Sequence, residues 1–169
     1  MTHKSAPSPI RVGISSCLLG QKVRYNGDHK WNQYVVEVLG KHFEWIPVCP
    51  EVEIGLGIPR DTLRLVKESD KSDSPRLIVT KTGEDLTDRM GTYAHQRISE
   101  FNPHSIHGYI LKKGSPSCGL ERVNVYPDNG IPDKKGRGLF AESLVQLFPL
   151  LPIEEEGRLS DATLRRNWV

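Results

Sequence analysis

Lys112-Lys113-Gly114-Ser115-Pro116-Ser117-Cys118-Gly119 is the stretch on which this sequence turns. It follows an apolar run over 106–111 that reads as a buried strand. Two glycines and a proline crowd around one cysteine, with two serines beside it. Glycine opens backbone angles closed to other residues and proline fixes its own. Such a turn can hold a sulfur and several N–H groups in one geometry. The other two cysteines stand in the same relation to apolar runs. Residues 10–16 are β-branched and apolar and end at Cys17, and residues 43–48 end at Cys49. In a parallel sheet with these strands as close neighbours, all three thiols meet at one rim. That rim, outside the carboxyl ends of the strands, is where open α/β sheets bind ligands.

The rest of the chain supplies the alternation such a sheet needs. Trp31, Tyr34, Val35, Val38 and Leu39 fall at the spacing of one helical face, which predicts a helix over 30–40 with Asp28 as N-cap and Gly40 as terminator. Pro47 cannot donate to a ladder, so the strand over 43–48 must be short or irregular there. Residues 62–68 and 76–80 read as a hairpin joined by the polar turn 69–75. Leu86, Met90, Tyr93, Ala94, Arg97 and Phe101 trace the inner stripe of a helix over 85–101. Residues 121–135, rich in Pro, Asn, Asp and Gly, read as an irregular mobile flap. A helix over 139–148, a last strand over 149–153 and a short helix over 161–168 capped by Ser160 complete the pattern. The expected class is α/β: a single domain over 10–169, after a flexible polar leader over 1–9, with a mainly parallel sheet flanked by helices. The cysteine site lies at the carboxyl ends of its strands.

Length and charge bound the function. The chain has 169 residues and a net charge of +2, enough for one packed core and too balanced for an obvious polyanion binder. No apolar run approaches the roughly 20 residues of a membrane span. The first nine residues lack a signal-peptide core, so the chain reads as cytoplasmic. Three cysteines, none in a Cys-x-x-Cys pair, do not make a disulfide framework in a reducing compartment. A cysteine taken at random is most often a small buried hydrophobe.

Three converging thiolates repel one another and favour metal binding or protonation. A structural zinc site wants four N or S ligands, and no histidine adjoins a cysteine here. A three-cysteine iron–sulfur cluster leaves one iron open to a substrate. A catalytic three-cysteine zinc is the next reading, and a persulfide-forming cysteine the third. Glu51, two residues past Cys49, is placed to act as general acid or base, or to cap a loop. Ser115 can bind substrate or activate water, and equally can form a turn. Ser16 and Ser117 directly precede cysteines and can donate to sulfur. Arg60 can balance cluster charge or meet substrate. Glu53 and Arg24 are further candidates.

At these residues the sequence resembles a known family. The segments GISSCLLG (13–20), VRYNG (23–27), PVCPEVEIGLGIPR (47–60) and KKGSPSCG (112–119) are similar to the domain-of-unknown-function family DUF523, whose characterised members are thiouracil desulfidases. The match runs from about position 10 to position 149, with all three cysteine boxes in order. The resemblance implies a [4Fe–4S] cluster held by Cys17, Cys49 and Cys118, with Glu51 and Ser115 catalytic. It implies non-redox chemistry: the open iron takes the thiocarbonyl sulfur, water deprotonated by Glu51 and helped by Ser115 attacks the carbon, and sulfide leaves. The expected substrate is a small thiolated pyrimidine, 2- or 4-thiouracil or its nucleoside. Near-neutral charge argues against a nucleic acid, while the basic loop 134–137 keeps tRNA as a second substrate class. Two readings from other classes stand beside it: a metal or iron–sulfur carrier without catalysis, and a sulfurtransferase carrying a persulfide on Cys118.

Overall fold

The apolar runs that end at cysteines are strands of one sheet in the computed structural model, which describes residues 7–68, 73–102 and 104–169. The expected leader through position 6, and positions 69–72 of the polar join, lie outside the described residues. In chain order the strands are β1 (Arg11–Ser15), β2 (Glu44–Val48), β3 (Leu63–Val66), β4 (Arg76–Val79), β5 (Gly108–Leu111), β6 (Val123–Tyr126), β7 (Asp133–Gly136) and β8 (Ile153–Glu155). The α-helices are α1 (Pro50–Glu53), α2 (Thr87–Glu100), α3 (Leu139–Leu147) and α4 (Ala162–Trp168).

The first sheet runs in the order β2–β1–β5–β8 and is parallel throughout. Its centre explains its sequence. Val12 and Ile14 of β1, with Ile110 of β5, face a cluster containing Leu18, Val35, Leu39 and Leu159. Tyr109 and Leu111 face the opposite layer, with Met90, Ala94 and Ile98 of α2 and Phe140 and Leu144 of α3. Strands covered on both faces read as continuous apolar runs and not as alternation. Gly13 is required here, because a Cβ would lie 2.3 Å from two carbons of the Tyr109 ring. Pro47 is accommodated because β2 is an edge strand, with its missing N–H on the unpaired side. The architecture is the expected α/β class, with the parallel sheet between helical layers.

The second sheet, β4–β3–β6–β7, corrects one expectation. The hairpin of β3 and β4 forms as predicted, with Leu63 opposite Val79. Residues 121–135, expected to be an irregular flap, supply β6 and β7, and β6 runs parallel to β3. Val123 is buried against the core and Val125 packs beside it, while Asn124 is exposed. That two-residue alternation was outweighed by the turn-forming residues between the strands.

Three local expectations also shift. The helix over 30–40 is replaced by a short π-turn, Tyr34–Val38, and a 3-10 turn, Leu39–Lys41. Trp31 and Val38, assigned to its inner face, are 43% and 44% exposed. The N–H groups of Lys30 and Asn32 donate instead to the carbonyls of Cys17 and Leu18. Asn32 Oδ1, not Asp28, accepts the first N–H of the turn, from Val35. The last strand lies at 153–155, later than expected. Asp161 caps α4 in place of Ser160, accepting from the N–H groups of Thr163 and Leu164.

Candidate active site

Each cysteine is held by a different local device. Cys17 sits in a single 3-10 turn after β1, closed by Gly20 at φ 87°. Cys49 is the N-cap of α1, followed by Pro50 in the first helical turn, where a missing N–H costs nothing. Its own N–H donates to Glu53 Oε2 at 3.1 Å, while the Glu53 N–H donates to the Cys49 carbonyl. The Cys118 loop docks on the N-terminus of α3. There Leu139 N–H donates to the Pro116 carbonyl, and Phe140 and Ala141 N–H both donate to the Ser117 carbonyl. These are the donors an α-helix leaves unpaired at its start.

Gly138 makes that docking possible. A Cβ there would lie 2.4 Å from the carbonyl carbon and oxygen of Ser117. Gly138→Ala is therefore expected to push the loop off α3. Destabilisation should be roughly 1–3 kcal/mol, the usual cost of overpacking, read from thermal or denaturant unfolding. Wild-type stability in that variant would mean the loop is not fixed by this contact.

Cys17, Cys49 and Cys118 line one cavity of about 280 Å³, together with Glu51, Ser115 and Arg60. Their thiols share one electrostatic field. Burial pushes Cys17 up to about 11, opposed by the cation of Lys112 and reinforced by Cys49. Cys49 is also raised, first by burial, while the N–H groups of Val52 and Glu51 oppose the rise. Burial raises Cys118 well above the usual thiol range; the Ser15 hydroxyl opposes this, and the charges of Cys49, Glu51 and Cys17 add to it. At neutral pH the set is therefore protonated until a cation enters, and loading it releases protons.

Among the described residues no group of three or more His, Cys, Asp or Glu side chains closes around a single metal ion. The three thiols line one cavity, and soft sulfur donors of this kind suit an iron–sulfur centre.

Beside the thiols lies a chain of polar contacts. Glu51 Oε2 accepts from Arg60 Nε and Nη2, both at 2.8 Å. Glu51 Oε1 accepts from the Ser117 hydroxyl at 2.7 Å. Ser115 Oγ lies 3.2 Å from Ser117 Oγ and accepts from the N–H groups of Ser117 and Cys118. Arg60 is held in turn, donating through Nη1 to the Gly57 carbonyl and through its N–H to the Tyr25 carbonyl.

The structure brings most of the expected residues together and reassigns several contacts. The Arg60 side chain is only 6% exposed and grips Glu51. Ser117 donates to Glu51 and not to sulfur. The hydroxyl that meets a cysteine is that of Ser15, at Cys118, and not that of Ser16. Glu53 is tied to Arg97 Nε and the Cys49 N–H. Arg24 lies 5.4 Å from the Tyr25 ring centre and lines the cavity. Tyr25, Ser15 and Lys112 also line it and were not singled out from sequence. The Tyr-Asn-Gly turn at 25–27 was the one available signal for the first. The basic segment 134–137 borders a second groove that shares no residue with the cysteine cavity. No helix among the described residues is long and apolar enough to cross a membrane.

Comparison with known proteins follows the same residues. A family profile described as 2-thiouracil desulfurase matches residues 12–156. YbbK, an uncharacterized protein of Bacillus subtilis (strain 168), is 31% identical over 108 residues, covering 63% of this chain and 71% of YbbK. Among solved structures, the [4Fe-4S]-dependent thiouracil desulfidase TudS superposes with a TM-score of 0.71 at 27% identity, over 95% of this chain and 99% of that one.

Proposed function

We propose, since the chain belongs to the 2-thiouracil desulfurase family, that it hydrolyses a small thiolated pyrimidine to the oxo base and sulfide. In this reading Cys17, Cys49 and Cys118 hold a [4Fe–4S] cluster. The observation that carries the reading is the convergence of three thiols, a paired carboxylate and a serine hydroxyl on one small cavity. A cluster with three cysteine ligands supplies an open iron that acts as a Lewis acid toward sulfur.

The protein's own groups do the rest. Glu51 receives the proton of the attacking water, and Arg60 fixes the carboxylate from the far side. Ser115 stands at the cavity wall with two N–H donors on its oxygen. The net exchange is thiocarbonyl plus water to carbonyl plus hydrogen sulfide, which needs neither electrons nor a nucleotide. A cavity of about 280 Å³ falls at the small end of ligand pockets, suiting a free base or nucleoside.

Tyr25 supplies a flat wall for such a ring. It is 40% exposed on the cavity lining, and its backbone is tied to Arg60. Base–aromatic stacking is worth about 1–3 kcal/mol per base. Tyr25→Ala is expected to weaken 4-thiouracil binding at least about fivefold by calorimetry. Tyr25→Phe should bind as wild type, and equal affinity in the alanine variant would remove the platform.

The test of the function is anaerobic reconstitution with iron and sulfide analysis, followed by sulfide release from 2- and 4-thiouracil without added reductant. Turnover that required an electron donor, or that occurred only on tRNA, would overturn the reading.

A further inference from the structure

We infer that Ser117 is a proton relay linking Ser115 to Glu51, so that the carboxylate takes the proton of the attacking water through two hydroxyls and not by direct contact. The inference rests on the desulfidase reading for its substrate and on hydrogen-bond accounting for its direction.

A serine oxygen has two acceptor lone pairs and one hydrogen. The N–H groups of Ser117, at 3.2 Å, and Cys118, at 3.1 Å, converge on Ser115 Oγ and hold it in place. The single hydrogen of Ser117 goes to Glu51 Oε1 at 2.7 Å, since an ionised carboxylate only accepts. The 3.2 Å between Ser117 Oγ and Ser115 Oγ is therefore spanned by the hydrogen of Ser115. Both O–H bonds then point the same way, toward Glu51. Oε2 of Glu51 is occupied by Arg60, which leaves Oε1 as the receiving atom.

The surroundings keep the wire dry and fixed. Ser117 is 1% exposed, and its carbonyl is held by two N–H groups of α3. Ser115 and Glu51 both line the cavity, so the path begins and ends at the reacting space. The step balances. Water gives a proton to Ser115 Oγ as Ser115 gives its own to Ser117 and Ser117 gives its own to Glu51. The hydroxide oxygen bonds the thiocarbonyl carbon. The C–S bond then breaks as the added hydroxyl gives up its proton and becomes the carbonyl, and sulfur departs as hydrogen sulfide with that proton and the one held by Glu51. The two N–H groups on Ser115 Oγ stabilise the negative charge that passes through it, as donors do in an oxyanion hole.

Ser117→Ala should lower kcat about 10²-fold, at the low end for a positioned acid–base group, with KM and iron per chain unchanged. The double variant Ser117→Ala/Glu51→Gln should be no slower than Glu51→Gln alone, because groups acting as one unit are not additive. The proton inventory in mixed H₂O and D₂O should be curved in wild type and linear in Ser117→Ala. Ser117→Thr, which keeps the hydroxyl, should restore turnover. Additive losses in the double variant would overturn the relay.

A second measurement needs neither cluster nor substrate. In cluster-free protein a phosphonofluoridate should label Ser115: Oγ bonds phosphorus, fluoride leaves, and the serine proton passes through Ser117 to Glu51. Labelling of Ser115, located by peptide mass, should be at least tenfold slower in Ser117→Ala. Equal rates in the two proteins would overturn the relay whether or not thiouracil proves to be a substrate. Absence of sulfide release with a retained labelling difference would overturn the function and leave the relay standing.

Discussion

Replacing Cys49 with serine is expected to strip most of the iron from reconstituted protein while leaving the fold at least as stable as wild type. The two effects separate because of where Cys49 sits. It is the N-cap of α1, a position where serine is among the preferred residues because its oxygen accepts the unpaired N–H groups of the first turn. Its side chain is only partly buried. A serine there gains a cap and loses a ligand, since a neutral hydroxyl does not replace a soft, anionic sulfur toward iron. Cys17→Ser and Cys118→Ser should also lose iron. Those thiols, however, are packed into the two apolar clusters on opposite faces of the parallel sheet, so folding and ligation would fall together. Iron per chain, the visible spectrum and the melting temperature on one Cys49→Ser preparation decide the matter. Full cluster occupancy with an unchanged spectrum would remove Cys49 from the ligand set.

The cysteine site was legible because each thiol follows an apolar run, and chain direction in a parallel sheet turns that sequence fact into a spatial one. Val12, Ile14, Tyr109 and Ile110 carry the argument: the first two and Ile110 are buried on one side of the sheet and Tyr109 on the other, so only interior strands fit them. The stretch over 30–40 was misread for a reason that lies elsewhere in the chain. Its apolar spacing is helical, yet the carbonyls of Cys17 and Leu18 capture the N–H groups of Lys30 and Asn32, which an α-helix starting there would not do. A local pattern carries no record of a partner 13 or 14 positions upstream. The same limit hid the polar chain beside the thiols. Arg60 reaches Glu51 because Gly55 and Gly57 take φ of 90° and 76° and turn the segment back on itself. Ser117 reaches Glu51 because β2 and β5 flank β1, which sets two loops 66 residues apart against one another. Spacing alone pointed Ser117 at its neighbouring sulfur; the pairing of strands pointed it at a carboxylate.

Glu51→Gln is expected to keep iron content and spectrum and to lower kcat by roughly 10²–10⁴-fold, the contribution of a positioned general base. Glutamine is the informative substitution because of Arg60. The Glu51 and Arg60 side chains are 15% and 6% exposed, and removing one partner of a buried pair typically costs about 3–5 kcal/mol. Alanine would therefore confound loss of base with loss of fold. Glutamine keeps one oxygen to accept from Arg60 and turns its amide toward Ser117, whose oxygen can accept. It cannot take a proton. Since Glu51 engages Arg60 and Ser117, iron should stay bound. Normal turnover in this variant would eliminate the carboxylate from the reaction. Loss of iron would make Glu51 a support for the cluster, and the base would have to be sought elsewhere. Glu53, the next carboxylate along the chain, cannot inherit the role without rearrangement, because Arg97 and the Cys49 N–H already engage it. Among the described residues lining the cysteine cavity, Glu51 is the one carboxylate. A protein that hydrolysed thiouracil without it would have to draw its base from a hydroxyl or a lysine, and Lys112 is already engaged by Glu156 at 2.6 Å.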